Sequence, residues 1–279
     1  PQMSTPTVSF VVPTRNSART IAACVLSLRN QTYASVEVVV VDNESTDDTA
    51  ERALAAGADR VVIAGPERCA QRNRGAAESR GEFVVFIDSD MVLEPAIASQ
   101  IVEQFEQHPE LGALIIPEHS FGDGFWTRCR VLEKSLYVGN ESVEAARAFR
   151  REVFDAVGGW NENLTAAEDW DLDDRIRAHG VIVGRVDAFI WHDEGKLRLR
   201  GTFGKKRYYG QWIAAYLDAH DDGSRRIRRS GLLDKKGDLM RHPILTGGMV
   251  TLKSVEAAGI YAGMRDARKE RVAVLPDAR

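Results

Sequence analysis

Residues 83–87 read Phe-Val-Val-Phe-Ile, an unbroken apolar run of β-branched and aromatic side chains that stops abruptly at Asp88-Ser89-Asp90. A strand of that composition is stable where both of its faces are covered, as in a parallel sheet between layers of helices. Two carboxylates just past its carboxyl end fall where open α/β sheets keep their ligand crevice. An acidic pair there can hold a hard divalent cation against a diphosphate. The same three residues also suit a solvated turn after a core strand, so the surrounding chain must decide between the two.

Around this strand the chain alternates. Apolar runs at 8–12, 36–41, 60–64 and 111–116 predict further strands, separated by helical stretches at 17–30, from about Asp47, at 69–79 and at 95–107. Ser17 is placed to cap the first helix and Ser45 or Thr46 the second. This alternation predicts βαβ units, a mostly parallel sheet and right-handed crossovers. It fades after Pro117. There the spacing suggests a helix over 125–137, a short strand over 145–149 and a helix from Glu152. A Gly158-Gly159-Trp160 turn follows, then a helix entered through Glu168-Asp169 and running to His179. Residues 181–186 and 188–191 read as a terminal hairpin or one bent strand delivering His192.

Composition narrows the function classes. The 279 residues are 44% hydrophobic, enough for a large core, and a net charge of -4 gives no overall basic field for nucleic acid. Three cysteines without Cys-x-x-Cys spacing argue for buried thiols rather than a disulfide framework or a zinc site. No stretch supplies the ~18 consecutive apolar residues of a spanning helix. The expected location is cytoplasmic, with the possibility of the inner face of the membrane left open by the last third of the chain.

Several pieces, taken in order, resemble the family 2 glycosyltransferases, inverting enzymes with the GT-A fold. They are Val11-Val12-Pro13-Thr14-Arg15-Asn16, Val39 to Asp47, Arg72-Asn73-x-Gly75, Ile87-Asp88-Ser89-Asp90, Gly158-Gly159-Trp160 and Glu168-Asp169-x-Asp171-Leu172. The resemblance covers residues 8–192. It implies a Rossmann-like sheet flanked by helices over residues 1–200, with a nucleotide-sugar half at about 8–117 and an acceptor half at about 118–200. A helical extension over 201–279 lies outside the common core.

The resemblance also implies roles. Pro13, Thr14 and Arg15 would border the donor base and ribose, and Asp42 would accept the imide hydrogen of uracil, a carboxylate equally suited to capping a turn. Arg72 and Asn73 would meet phosphate or base, although an arginine there could be a simple ion pair. Asp88 and Ser89 would lie against the donor. Asp90, with Asp88 and His192, would hold Mn2+ or Mg2+. Asp169 would be the general base and Glu168 would orient the acceptor, with the reverse assignment left open. Trp160, Trp170 and Trp191 would line an acceptor platform or serve as ordinary core. A sugar-nucleotide nucleotidyltransferase or a non-catalytic nucleotide-binding scaffold are the competing readings; the first would need a Gly-rich basic loop after the first strand, which Pro13-Thr14-Arg15-Asn16 is not.

Between Asp193 and Arg241 there are thirteen Lys and Arg against seven Asp and Glu. Within it, residues 203–217 combine Lys205-Lys206-Arg207 with Tyr208, Tyr209, Trp212, Ile213, Tyr216 and Leu217 at helical spacing. Such a helix suits an anionic membrane surface or packing against the core; Arg225, Arg226, Arg228 and Arg229 add to the charge. A last helix over 249–268 carries small residues suited to self-association. The expected partners are a nucleotide-sugar donor and a saccharide or lipid-linked acceptor.

Overall fold

The computed structural model describes residues 5–140, 143–165, 167–219 and 236–274. In chain order the first half runs β1 (Val8–Thr14), α1 (Ile21–Arg29), β2 (Val36–Asp42), α2 (Thr49–Ala55), β3 (Arg60–Ile63), α3 (Arg68–Glu78), β4 (Phe83–Phe86), β5 (Met91–Leu93) and α4 (Ile97–Gln107). Then come β6 (Leu111–Ile115), β7 (Glu118–Phe121), α5 (Phe125–Ser135), β8 (Ala148–Arg150), α6 (Arg151–Ala156), α7 (Glu168–Ala178), β9 (Ile182–Arg185) and β10 (Ile190–Asp193). Three further helices are α8 (Leu199–Ala219), α9 (Lys236–Arg241) and α10 (Pro243–Val274).

The chain forms two compact units. The first comprises Pro1–His119, Glu144–Asn163 and Glu168–Asp193; the second comprises Ser120–Val143, Leu164–Ala167 and Glu194–Arg279. In the first, a seven-stranded sheet runs β3-β2-β1-β4-β8-β6-β9, parallel except for β8. Every residue of β1 and β4 is buried, which is why these strands read as unbroken apolar runs. Val8, Phe10, Val12, Val38 and Val40 pack with α1, α2 and α4 on one face. Val11, Val39, Val41, Val84 and Phe86 pack with α3, α6 and α7 on the other. The sheet grows from β1 through β2 to β3 on one side and restarts at β4 on the other. The switch point therefore lies between β1 and β4, and their carboxyl ends deliver Thr14 and Asp88.

Four local expectations are corrected. Ser17 does not cap α1, which begins only at Ile21; its N–H donates to Thr49 Oγ1 at 2.8 Å instead. Neither Ser45 nor Thr46 caps α2: Ser45 donates to Asp42, and the Thr46 N–H donates to Asn16 Oδ1 at 2.8 Å. Ser17 and Thr46 thus bond across to the other segment, and Ser45 closes its own turn on Asp42. Residues 181–191 form neither a hairpin nor one strand, because β9 pairs with β6 in the large sheet while β10 pairs with β5 in a three-stranded one. The short strand expected at 145–149 is Ala148–Arg150, and it runs antiparallel to both neighbours.

The second unit is helical. Helices α8 and α10 come close enough that a Cβ on Gly259 would stand 2.8 Å from the Phe203 carbonyl oxygen, and one on Gly263 would strike the Arg207 carbonyl. Where these two helices meet α5, Glu133 and Glu256 are buried among Arg130, Lys206 and Lys253. Arg130 lies 2.9 Å from Glu133, Lys206 lies 3.6 Å from Glu256, and Lys253 pairs with Glu133. Of the basic run at 205–207, Lys206 is thus turned inward and Arg207 pairs with Asp266 at 2.7 Å, while Lys205 stays exposed near the exposed Tyr208 and Trp212. The side chains of Ile213, Tyr216 and Leu217, and the whole of Arg225, Arg226, Arg228 and Arg229, lie outside the described residues. All three cysteines are buried thiols, and burial pushes the Cys69 thiol up to about 12.

Candidate active site

In the pairing of β1 with β2, Thr14 stands opposite Asp42, so the loops that follow these strands start side by side. Asp42 is buried and closes a turn: its Oδ2 accepts the Ser45 N–H at 3.1 Å and its Oδ1 accepts the Ser45 hydroxyl. A carboxylate has lone pairs beyond these two, so the capping and base-reading roles are compatible. The Asn16 N–H donates to Ser45 Oγ at 2.8 Å. Ser89 donates to Ser17 Oγ at 2.9 Å, which ties the acidic motif after β4 to the same loops. Pro13 closes into β1, Arg15 is exposed, and Thr14 Oγ1 is buried with no hydrogen-bond partner among the described residues.

Arg72 is the hinge of the charged half. It lies on α3, is 1% exposed, and places Nη2 3.0 Å from Asp88 Oδ1 and Nη1 3.3 Å from Asp169 Oδ1, with Glu168 Oε1 at 3.7 Å. The two acidic motifs, eighty residues apart in sequence, share one guanidinium. Arg68, one turn earlier on α3, reaches Glu168 at 3.4 Å.

Asp88 also lies 3.6 Å from Arg147 Nη1. Burial raises its carboxyl, but Arg72, then Arg68 and Arg147, outweigh burial and hold it well below the usual range. Glu168 is shifted upward, first by burial and then by the charge of Asp169, against the pull of Arg72 and Arg68. Both sit in the first turn of α7, where the helix dipole favours carboxylates. Asp169 remains 43% exposed and is the more accessible proton acceptor of the two.

On the cation side, His192 Nε2 lies 3.4 Å from Asp90 Oδ2 and its Nδ1 lies 2.8 Å from Glu118 Oε1. Burial opposes its protonation, yet hydrogen bonds to Asp90 and Glu118 raise its pKa to about 10. Asp90 and, once its Nε2 hydrogen is lost, His192 are residue types that could help hold Mn2+ or Mg2+, which would supply positive charge there. Among the described residues no group of three or more His, Cys, Asp or Glu forms a metal cage. Asp88 does not join the pair as the sequence suggested, because its two oxygens face Arg72 and Arg147.

Two more expectations change. Asn73 does not reach toward a ligand: its Oδ1 accepts the Trp160 N–H at 2.9 Å, and its Nδ2 donates to the Trp160 carbonyl at 2.9 Å and to Glu162 at 2.8 Å. It clamps the Gly-Gly-Trp turn, where Gly159 has φ +67° and a Cβ would stand 2.8 Å from Asn73 Oδ1. Trp160 is no acceptor platform either. Its ring is 3% exposed, with the Arg72 guanidinium 4.3 Å above its centroid and Phe86 edge-on at 5.2 Å. Trp170 is half-buried on α7. Trp191 is 40% exposed and stacks on His119 at 5.3 Å, on the face of β10 opposite His192. Sequence reasoning missed Arg68, Arg147 and Glu118.

The Glycosyl transferase family 2 profile matches residues 9–158, which include both loops, Arg72 and the acidic motif after β4. The chain belongs to that family. It is 29% identical over 200 residues to the O-antigen biosynthesis protein RfbC of Myxococcus xanthus, spanning 67% of this chain and 16% of that protein's length. It is 27% identical over 197 residues to a PGL/p-HBAD biosynthesis glycosyltransferase of Mycobacterium bovis, covering 66% of this chain and 74% of that one. Its fold matches the mannosyltransferase PcManGT of Pyrobaculum calidifontis, solved with GDP-Man and Mn2+, with a TM-score of 0.56, 21% identity and coverage of 97% and 81%. The fold is the GT-A fold of family 2, as the motifs implied.

Proposed function

We propose that this family 2 chain is an inverting glycosyltransferase. It moves a sugar from a nucleoside diphosphate sugar, with UDP the favoured nucleotide, to an acceptor hydroxyl of a lipid-linked or cell-envelope glycan. The observation that carries the reading is the sharing of Arg72 between Asp88 and Asp169. A scaffold that only bound nucleotide would have no need to hold an exposed carboxylate beside its diphosphate motif.

In the proposed step the acceptor oxygen attacks the anomeric carbon from the face opposite the diphosphate. Its proton passes to an Asp169 oxygen as the bond to the leaving phosphate oxygen breaks. Glu168, buried beside Asp169, orients the acceptor hydroxyls. A divalent cation held by Asp90 and His192 would supply positive charge at the departing diphosphate. The Mn2+ bound with GDP-Man in PcManGT supports such a cation here. Thr14, Arg15 and Asp42 border the base, and Asp88 with Ser89 positions the ribose and diphosphate. Trp191 and Trp170 remain the aromatic candidates on the acceptor side. The exposed Lys205, Tyr208 and Trp212 face of α8 supports peripheral contact with an anionic membrane at its cytoplasmic side.

The test is hydrolysis and transfer across UDP-, GDP- and dTDP-sugars, with and without Mn2+, with the anomer of the product read by NMR. Inversion with a preferred donor is expected. Retention of configuration, or release of pyrophosphate from a nucleoside triphosphate and a sugar phosphate, would overturn the reading.

A further inference from the structure

A chain of alternating charges runs through the first unit. From the cation side it passes Asp90, His192, Glu118, Arg147, Asp88, Arg72 and Asp169, and each neighbouring pair lies between 2.8 and 3.6 Å apart. Its middle members, Glu118 and Arg147, belong to no motif. Glu118 opens β7, and Arg147 immediately precedes β8. Both carboxylate oxygens of Glu118 are committed: Oε1 to His192 Nδ1 at 2.8 Å and Oε2 to Arg147 Nη2 at 3.0 Å.

The structure assigns Glu118 the role of positioning residue for the divalent cation: held in place by Arg147, it fixes the His192 ring with its Nδ1 hydrogen turned inward and its Nε2 turned toward Asp90. The inference rests on the proposed Asp90–His192 cation site. An ionised carboxylate can only accept, so the ring nitrogen facing Glu118 must carry a hydrogen, and the ring orientation, with Nε2 as the nitrogen left for a cation, follows from that contact. Without Glu118 the imidazole could choose either tautomer and turn over, and half of the cation's protein ligands would lose their direction. Arg147 serves both ends. Burial works against its charge, but Glu118, then Asp88 and Asp169, outweigh burial, so it remains a fixed cation between the two acids. The arrangement thereby links the aim of His192 to the position of Asp88.

Free Mn2+ measured by its electron paramagnetic resonance signal, in the presence of uridine diphosphate, tests this without turnover. Glu118→Gln should weaken Mn2+ binding roughly 10- to 100-fold, the range for loss of a carboxylate behind a ligating histidine. Metal-free uridine diphosphate binding should stay unchanged. His192→Ala and Asp90→Ala separate the two levels. If His192→Ala weakens Mn2+ binding and a folded Glu118→Gln does not, the role of Glu118 is overturned and the cation site stands. If neither His192→Ala nor Asp90→Ala affects Mn2+, both fall together. Should Glu118→Gln not fold, nitrogen-15 NMR of the parent loaded with Mg2+ decides the matter. His192 protonated at Nδ1 supports the inference, and protonation at Nε2 overturns it.

Discussion

Arg72 Nη1 lies 3.3 Å from Asp169 Oδ1 in a side chain that is 1% exposed, so the proposed base is held by a guanidinium enclosed in the protein rather than by solvent. The same group reaches Asp88 and stacks on Trp160. Lysine could satisfy one of those contacts but not the fork and the stacking together. Arg72→Lys should therefore fold and lose most of its transfer rate. Arg72→Met leaves Asp88 and Glu168 with only Arg147 and Arg68 at 3.6 and 3.4 Å and should lose stability, up to roughly 3–5 kcal/mol. Thermal unfolding and kcat together check this; a parent-like kcat in Arg72→Lys would refute the positioning role.

Asp169→Asn removes the proton acceptor while keeping size and first-turn geometry in α7. Transfer should fall by roughly 10² to 10⁴ with donor binding and melting temperature near the parent values. Single-turnover kinetics beside calorimetric donor binding would show it. Near-normal transfer in Asp169→Asn with a collapse in Glu168→Gln would move the base to Glu168.

The second unit carries a pH dependence of its own. Burial raises the Glu256 carboxyl, but Lys206, then Arg130 and Lys253, outweigh burial and leave it below its ordinary value. A carboxyl whose folded pKa is depressed adds stability above its unfolded value, about 4.3, and that stability is lost as pH falls through the lower folded value. Glu256→Gln should thus be less stable than the parent by roughly 1.5–3 kcal/mol at pH 7. The gap should narrow as pH falls below about 4. Paired melting curves across pH 3 to 7 measure it, and a gap that does not change with pH would rule out the charge of Glu256 as its cause.

The membrane proposal narrows to the exposed face of α8. Sedimentation with anionic liposomes should fall with added salt and fall further in Lys205→Glu combined with Trp212→Ser. Lys206→Gln tests the distinction between buried and surface charge, since Lys206 faces Glu256. It should alter stability more than partitioning. Equal partitioning of the parent and the Lys205/Trp212 variant would remove this face from consideration.

The sequence by itself determined β1 to β4 and β6, the parallel arrangement of β1 to β4 and the family. An apolar run covered on both faces leaves its mark residue by residue, and the polar residues that end it mark the strand's carboxyl edge. It also singled out Arg72, Asp88, Asp90, Asp169 and His192, because each sits at a motif or at the end of a strand. What each of them touches was a matter for tertiary structure. Asn73 and Trp160 stand in motifs yet serve the Gly158-Gly159 turn and the core, since eighty-seven residues separate Asn73 from its partner. Glu118 and Arg147 stand in no motif, and their charges acquire meaning only when β7, β8 and β10 bring them to Asp88 and His192. Local pattern records burial and backbone form, which depend on neighbouring residues. A pair of charges distant in sequence leaves no periodic trace, so only the folded chain decides which acid meets which base.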